Sequence, residues 1–278
     1  MEVLLALLAA GTYGMADYCG GRAARSISAM AVTLVGQFAA LIVLGTIAIL
    51  SGVPVPPLND WVWGGVAGIL GSTGLLVFYR AMGSGFMTVV APISAVVTAA
   101  IPVIVGLLSG ERPSGKALIA MPLAIVAIAL VSDVLGPHHR RAPRSIILMA
   151  VVSGVGFGFI FVVLHHVSST SGIWPVVAMR TTSVPYMFIV ARATKTSIRQ
   201  AMPHKWLVFA SGIMDSGANA LYALAVRMGL MSVVAVIIAL YPASTLMLAT
   251  GLDKERIHRP QAIGLVMAAA ALVLITLS

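Results

Sequence analysis

The sequence predicts an all-α membrane protein, with ten transmembrane helices in two inverted five-helix repeats. Three observations lead there: scarcity of charge, recurrence of long apolar runs, and an internal repeat. Charged residues are 9% of the 278 positions and hydrophobic ones 60%. A soluble domain carries roughly 25% and 45–50%, so there is too little charge to cover a water-facing surface. Apolar runs of about 20 residues recur along the chain, and at 1.5 Å per residue each crosses a hydrocarbon core of roughly 30 Å. The runs are continuously apolar, without the alternation a membrane strand needs, so helices are expected rather than a barrel.

Glycine, proline and charged clusters divide the chain into spans at 2–20, 28–51, 61–82, 86–109, 116–135, 145–166, 173–192, 205–227, 231–251 and 260–278. The first begins at Glu2 rather than in a basic segment and leads straight into further spans, so it reads as a mature helix and not a cleaved signal. The connections are short, the longest being 135–144 and 193–204. None of them houses a nucleotide-binding domain. Span 4 contains Pro92 and Pro102, and span 9 contains Pro242. These prolines free backbone carbonyls, which either line a cavity or simply accompany a kink.

The repeat is direct in sequence. Gly85-Phe86-Met87-Thr88-Val89-Val90-Ala91 recurs as Gly229-Leu230-Met231-Ser232-Val233-Val234-Ala235, an offset of 144 residues. At the same offset Glu111-Arg112 falls on Glu255-Arg256, Gly14 on Gly158, Gly68 on Gly212 and Ser72 on Ser216. The units are therefore placed at 1–136 and 145–278. Five helices is an odd number, so the second copy enters the membrane with the opposite orientation, the plan of many secondary transporters with a substrate site between the halves.

The net charge of +9 reflects membrane orientation and not nucleic-acid binding, because the basic residues lie in short connections and form no stripe. Odd-numbered connections hold Arg22, Arg25, Arg80, Arg140, Arg141, Arg144, Arg192, Lys195, Arg199, Lys205, Lys254, Arg256 and Arg259; even-numbered ones hold only Arg112, Lys116 and Arg227. This bias puts the odd connections in the cytoplasm and both termini outside. The single cysteine, Cys19, excludes an internal disulfide and a cysteine metal cluster. His138-His139 and His165-His166 read as loop and interfacial residues, without the carboxylates a metal site would add. No metal or other cofactor is expected.

Charges inside apolar spans single out a site. Arg180 in span 7 and Asp215 in span 8 each cost about 2.5–3.5 kcal/mol to insert and need partners. Arg180 either holds a carboxylate or phosphate of a cargo through its planar fork, or pairs with Asp215 and locks two helices together. Asn219 and Tyr222 follow Asp215 at i+4 and i+7 on one helical face. That stripe contacts either cargo or a neighbouring helix. Tyr13 and Asp17 share a face of span 1, and a buried Asp17 would suit proton coupling, whereas a solvated one near Arg22 would not. Gln37, Tyr79, Thr98 and Tyr241 complete the candidates for a cargo site. Glu111 and Glu255 suggest caps or local ion pairs, while Gly64-x3-Gly68, Gly106-x3-Gly110 and Gly154-x3-Gly158 permit close helix contacts.

Several segments resemble the EamA-type drug/metabolite transporter superfamily. They are the Tyr79-Arg80-Ala81 helix end, the paired Ser109-Gly110-Glu111-Arg112 and Asp253-Lys254-Glu255-Arg256, and the opening Gly11-Thr12-Tyr13-Gly14-Met15-Ala16-Asp17-Tyr18-Cys19-Gly20-Gly21. The resemblance covers essentially the whole chain. It implies a bacterial inner-membrane carrier, often an exporter of amino acids, metabolites or toxic compounds, with a cavity lined by helices 1–4 and 6–9. It also implies cytoplasmic termini, against the charge bias.

No Gly-x4-Gly-Lys-Ser/Thr sequence supports ATP use, and no His-Glu-x-x-His or Gly-x-Ser-x-Gly sequence supports an enzyme. The expected partners are the lipid bilayer and a small-molecule cargo, in a monomer or homodimer. A channel or a noncatalytic partner subunit is the competing reading, although no ring of charges or filter-like segment accompanies it.

Overall fold

A computed structural model describes residues 1–84, 86–131, 142–252 and 257–277. His138-His139, Arg140-Arg141 and Asp253-Lys254-Glu255-Arg256 lie outside the described residues. Within them the chain is helical, with no strand: α1 (Glu2–Ala24), α2 (Ala29–Leu50), α3 (Leu58–Gly83), α4 (Met87–Leu108), α5 (Gly115–Val131), α6 (Arg144–His165), α7 (Trp174–Ala193), α8 (Lys205–Ala225), α9 (Met231–Ile238), α10 (Tyr241–Leu252) and α11 (Arg259–Thr276). Short 3-10 turns occupy Ser169–Ser171 and Ile198–His204.

Local chemistry explains the starts. The Ser28 hydroxyl accepts from Ala31 N at 3.2 Å and that of Ser114 from Ala117 N at 3.1 Å, each satisfying a free N–H of a first turn. Pro175 stands in the first turn of α7 and Pro260 in that of α11, where a missing N–H costs nothing. Gly52 and Gly110 take positive φ, +69° and +92°, just after α2 and α4, conformations that glycine adopts without a Cβ penalty.

Among the described residues, seven segments are long and apolar enough to cross a membrane: α1, α2, α3, most of α4, α6, the α9–α10 pair and α11. Helices α7 and α8 have the length, at 20 and 21 residues, but carry Arg180 and Asp215 with several hydroxyl and amide neighbours. Their polarity is that of an interior face rather than a lipid face.

The ninth span differs from expectation. A single helix over 231–251 is predicted, yet the chain breaks at Ala239 and Leu240 between α9 and α10. Pro242 has no N–H, so it leaves the Ile238 carbonyl without its i+4 donor, and the helix ends there. Positions 92 and 102, by contrast, sit inside one continuous α4.

Packing follows a regular scheme. Helix α1 packs on α8 and α6 on α3; α3 packs on α7 and α8 on α2; α4 packs on α6, and α1 on α9 and α10. Helices α2 and α7, α4 and α9, and α5 and α11 pack directly on each other. Moving every partner by five spans, with α9–α10 as one, returns the same set. The repeat glycines sit at contacts between helices. A Cβ on Gly212 would fall 2.0 Å from the Gly36 carbonyl oxygen, and one on Gly68 would fall 2.2 Å from that of Met179. Gly14 abuts Tyr241 and Ser244, and Gly158 abuts Thr98 and Ile101. Gly106-x3-Gly110 is different, since Gly106 faces the Glu111 carboxylate and Gly110 forms a turn.

Polar ties between connections separate two faces. On one, Asp60 at the start of α3 accepts from the Ser171 hydroxyl and from Ser168 N at 3.3 Å. Arg227 donates to the Ser168 and Gly172 carbonyls, and the Trp174 indole donates to Val53. Glu111 accepts from Met231 N at 2.7 Å and Ser232 N at 3.0 Å, so it caps α9 rather than pairing with Arg112. Lys116 reaches the Leu277 carbonyl, and Gly229 abuts Glu2, which brings both chain ends to this face. On the other face Ser28 N donates to Gln200.

Candidate functional site

The polar residues of α7 and α8 converge between helices. Arg180 is 2% exposed, and its Nη2 donates to Asp215 Oδ2 at 2.7 Å. Its Nε donates to the Ser216 hydroxyl at 2.7 Å. The pair therefore forms, and Ser216 fixes the plane of the guanidinium beside it. Asp215 is 14% exposed, which leaves one side of the pair open to a cavity.

That cavity, of about 40 Å³, is lined by Tyr13, Asp17, Gln37, Gly71, Leu75, Thr98, Phe157, Ile160, Phe161, Met179, Arg180, Asp215, Asn219, Ile238 and Tyr241. Every helix contributes except α5 and α11, which pack on each other away from it. The Tyr13 ring stands 6.4 Å from that of Phe161 and 6.5 Å from that of Tyr241, both tilted, forming an aromatic wall. Gln37 is buried, with neither amide atom partnered. Asn219 donates its Nδ2 to the Asp215 carbonyl at 2.8 Å, and its Oδ1 is left unpartnered. Buried polar groups are ordinarily satisfied, so unpaired amides on a cavity wall point to a ligand or water as the missing partner. Thr98 reaches the Gly154 carbonyl only at 3.4 Å, too long for a strong O–H···O bond.

Two expected lining residues are elsewhere. Tyr222 lies one turn beyond Asn219, donates to the Phe161 carbonyl at 2.6 Å and stacks on that ring at 4.3 Å. Its hydroxyl is consumed as an α8–α6 tie. Tyr79 is bonded to Ser211 at 2.8 Å and joins α3 to α8. A shared helical face fixes only a direction; an adjacent backbone carbonyl or hydroxyl captured each phenol before it could reach the cavity.

Sequence reasoning missed the apolar lining and Ser216. The repeat carried the signal: adding 144 to Tyr13 and Asp17 gives Phe157 and Phe161, and subtracting it from Asp215 and Asn219 gives Gly71 and Leu75, all four on the wall. The two halves thus present equivalent positions with unlike chemistry. No group of His, Cys, Asp or Glu among the described residues is disposed to hold a metal ion.

Comparison with known proteins agrees on the fold. A solved structure titled "Crystal structure of protein" is similar with a TM-score of 0.76 over 99% of this chain and 96% of its own, at 14% identity. No curated protein matches. The model of the EamA-like transporter family matches residues 1–133 and 144–277. The chain is a multi-pass membrane transporter of the drug/metabolite superfamily and belongs to the EamA-like transporter family.

Proposed function

We propose that this transporter is a secondary active carrier that crosses the bacterial inner membrane ten times as two inverted five-helix repeats. It exports a small organic metabolite, amino acid or drug-like compound by alternating access. The observation that carries the reading is a cavity, largely apolar with charged and amide groups on its wall, drawn from eight of the spans, four in each half, with the two remaining helices packed outside it. The exchange of packing partners between halves supports the inverted repeat, since a unit with an odd number of spans repeats head to tail. At about 40 Å³ the cavity holds water but not a cargo, for which roughly 300–1,000 Å³ is usual. Loading therefore requires the halves to part, the rocking motion of such carriers. Asp17 on the wall is the coupling residue, taking a proton when the cargo leaves. No cofactor takes part, and the protein works in the bilayer as a monomer or homodimer.

Reconstitution in liposomes tests this. Saturable counterflow that a pH gradient accelerates is the expected result, and unsaturable conductance would identify a channel instead. For orientation, the basic bias puts the 194–204 connection in the cytoplasm with both termini outside. A Ser197→Cys thiol in a Cys19→Ser background should then react with a membrane-impermeant maleimide only after the cells are opened.

A further inference from the structure

The charges around the cavity do not balance. Three acidic or basic side chains face it: Asp17, Asp215 and Arg180. Arg180 and Asp215 neutralise each other at 2.7 Å. Asp17 has no hydrogen-bond or ion-pair partner among the described residues. Arg22, the basic residue nearest to it in sequence, instead donates to the Tyr18 hydroxyl at 2.7 Å on an adjoining face of α1. When ionised, Asp17 therefore gives the cavity one uncompensated negative charge in a low-dielectric setting, where an unpaired carboxylate is costly and takes a proton unless a cation meets it.

Unused acceptors on the wall include the Asp17 carboxylate, Asp215 Oδ1, Asn219 Oδ1 and Gln37 Oε1, beside unused donors at Gln37 Nε2 and the Tyr241 hydroxyl. The rings of Tyr13, Phe161 and Tyr241 line the same cavity as Asp17, and an aromatic ring attracts a cation placed over its face. An anionic cargo would have to displace Asp215 from Arg180 while facing Asp17. A neutral one would leave Asp17 to be met by a proton alone.

We propose that the cargo is an organic monocation with N–H donors, a protonated amine on an apolar body, whose counter-ion is Asp17 and whose donors are met by Asp215, Asn219 and Gln37. This rests on the carrier reading above and names its substrate class. The Arg180–Asp215 pair stays closed and sets the cavity's net charge by holding one carboxylate out of the count.

The test uses the purified full chain and four probes that share a phenyl group: phenethylammonium, 2-phenylethanol, 3-phenylpropionate and phenylalanine. A ligand that binds the folded state raises its apparent stability. The expected result is a concentration-dependent rise in melting temperature with phenethylammonium at neutral pH. The neutral alcohol and the anion should give none. Asp17→Asn should weaken the ammonium by about tenfold or more, as expected for loss of a charged hydrogen bond, and Asp17→Glu should retain it. Tighter binding of phenylpropionate or phenylalanine, no response to the ammonium, or undiminished response in Asp17→Asn overturns the inference. Saturable counterflow of the anion or amino acid would overturn it while leaving the carrier intact, and unsaturable conductance would instead remove the carrier.

Discussion

Neutralising Asp215 gives the most informative single perturbation, because the structure sets both its cost and its control. Asp215→Asn keeps an acceptor near Arg180 but leaves a guanidinium that is 2% exposed without a counter-ion. Breaking a buried pair from one side costs about 3–5 kcal/mol. The 14% exposure of Asp215 admits some water and places the expectation near the lower end, about 3 kcal/mol. Arg180→Met, which strands Asp215 instead, should cost about the same. If the residues acted independently, the double variant Arg180→Met/Asp215→Leu would lose about 6 kcal/mol. Removing both charges together removes the stranded charge, so the double variant should lose about 3 kcal/mol or less. Reversible unfolding in mixed micelles measures all three. Additivity to within about 0.5 kcal/mol would refute the coupling. Counterflow in liposomes then separates architecture from transport: a stable double variant should be inactive, and one that transports like the unaltered protein would show the pair to be only a tie between α7 and α8.

Other expectations follow from single contacts. Tyr222→Phe removes the bond to the Phe161 carbonyl and should cost about 0.6 kcal/mol with transport unchanged, because the ring does not line the cavity; a large loss of transport would place it there. Glu111→Gln gives up charged acceptance at the start of α9 and should lower stability by about 1 kcal/mol in the same unfolding assay. Gly212→Ala would drive a Cβ into the Gly36 backbone and should cost about 3 kcal/mol or more. Gly45→Ala, with nothing within 4 Å, should be neutral or stabilising, and equal melting temperatures for the two would contradict the α2–α8 contact.

Much of this could be read from the chain before any coordinates. The α7 limits of Trp174–Ala193 fall one residue from the 173–192 expected, and α8 ends at Ala225 rather than 227. Hydropathy is a property of contiguous residues, and the bilayer imposes one length on all of them. The sequence repeat could be read in the same way, and Gly14, Gly68, Gly158 and Gly212 each sit against a neighbouring helix. The isolated charges Arg180 and Asp215 also announced themselves, since apolar surroundings make either one alone unaffordable.

Tertiary structure decided which partner each polar group found. Ser216 adjoins Asp215 in sequence, yet only the rotation of α7 against α8 makes it the Nε acceptor of Arg180. Tyr222 follows Asn219 along one face, but the Phe161 carbonyl takes its hydroxyl while the Asn219 Oδ1 is left unpaired. The break at Ala239–Leu240 precedes Pro242 and leaves Ile238 and Tyr241 on the cavity wall, whereas α4 passes unbroken through two prolines. Composition and period fix where the apolar spans fall and which face turns inward, because those are sums over local residues. Hydrogen-bond partners depend on ångström-scale rotations between helices far apart in the chain, and no local sum contains them.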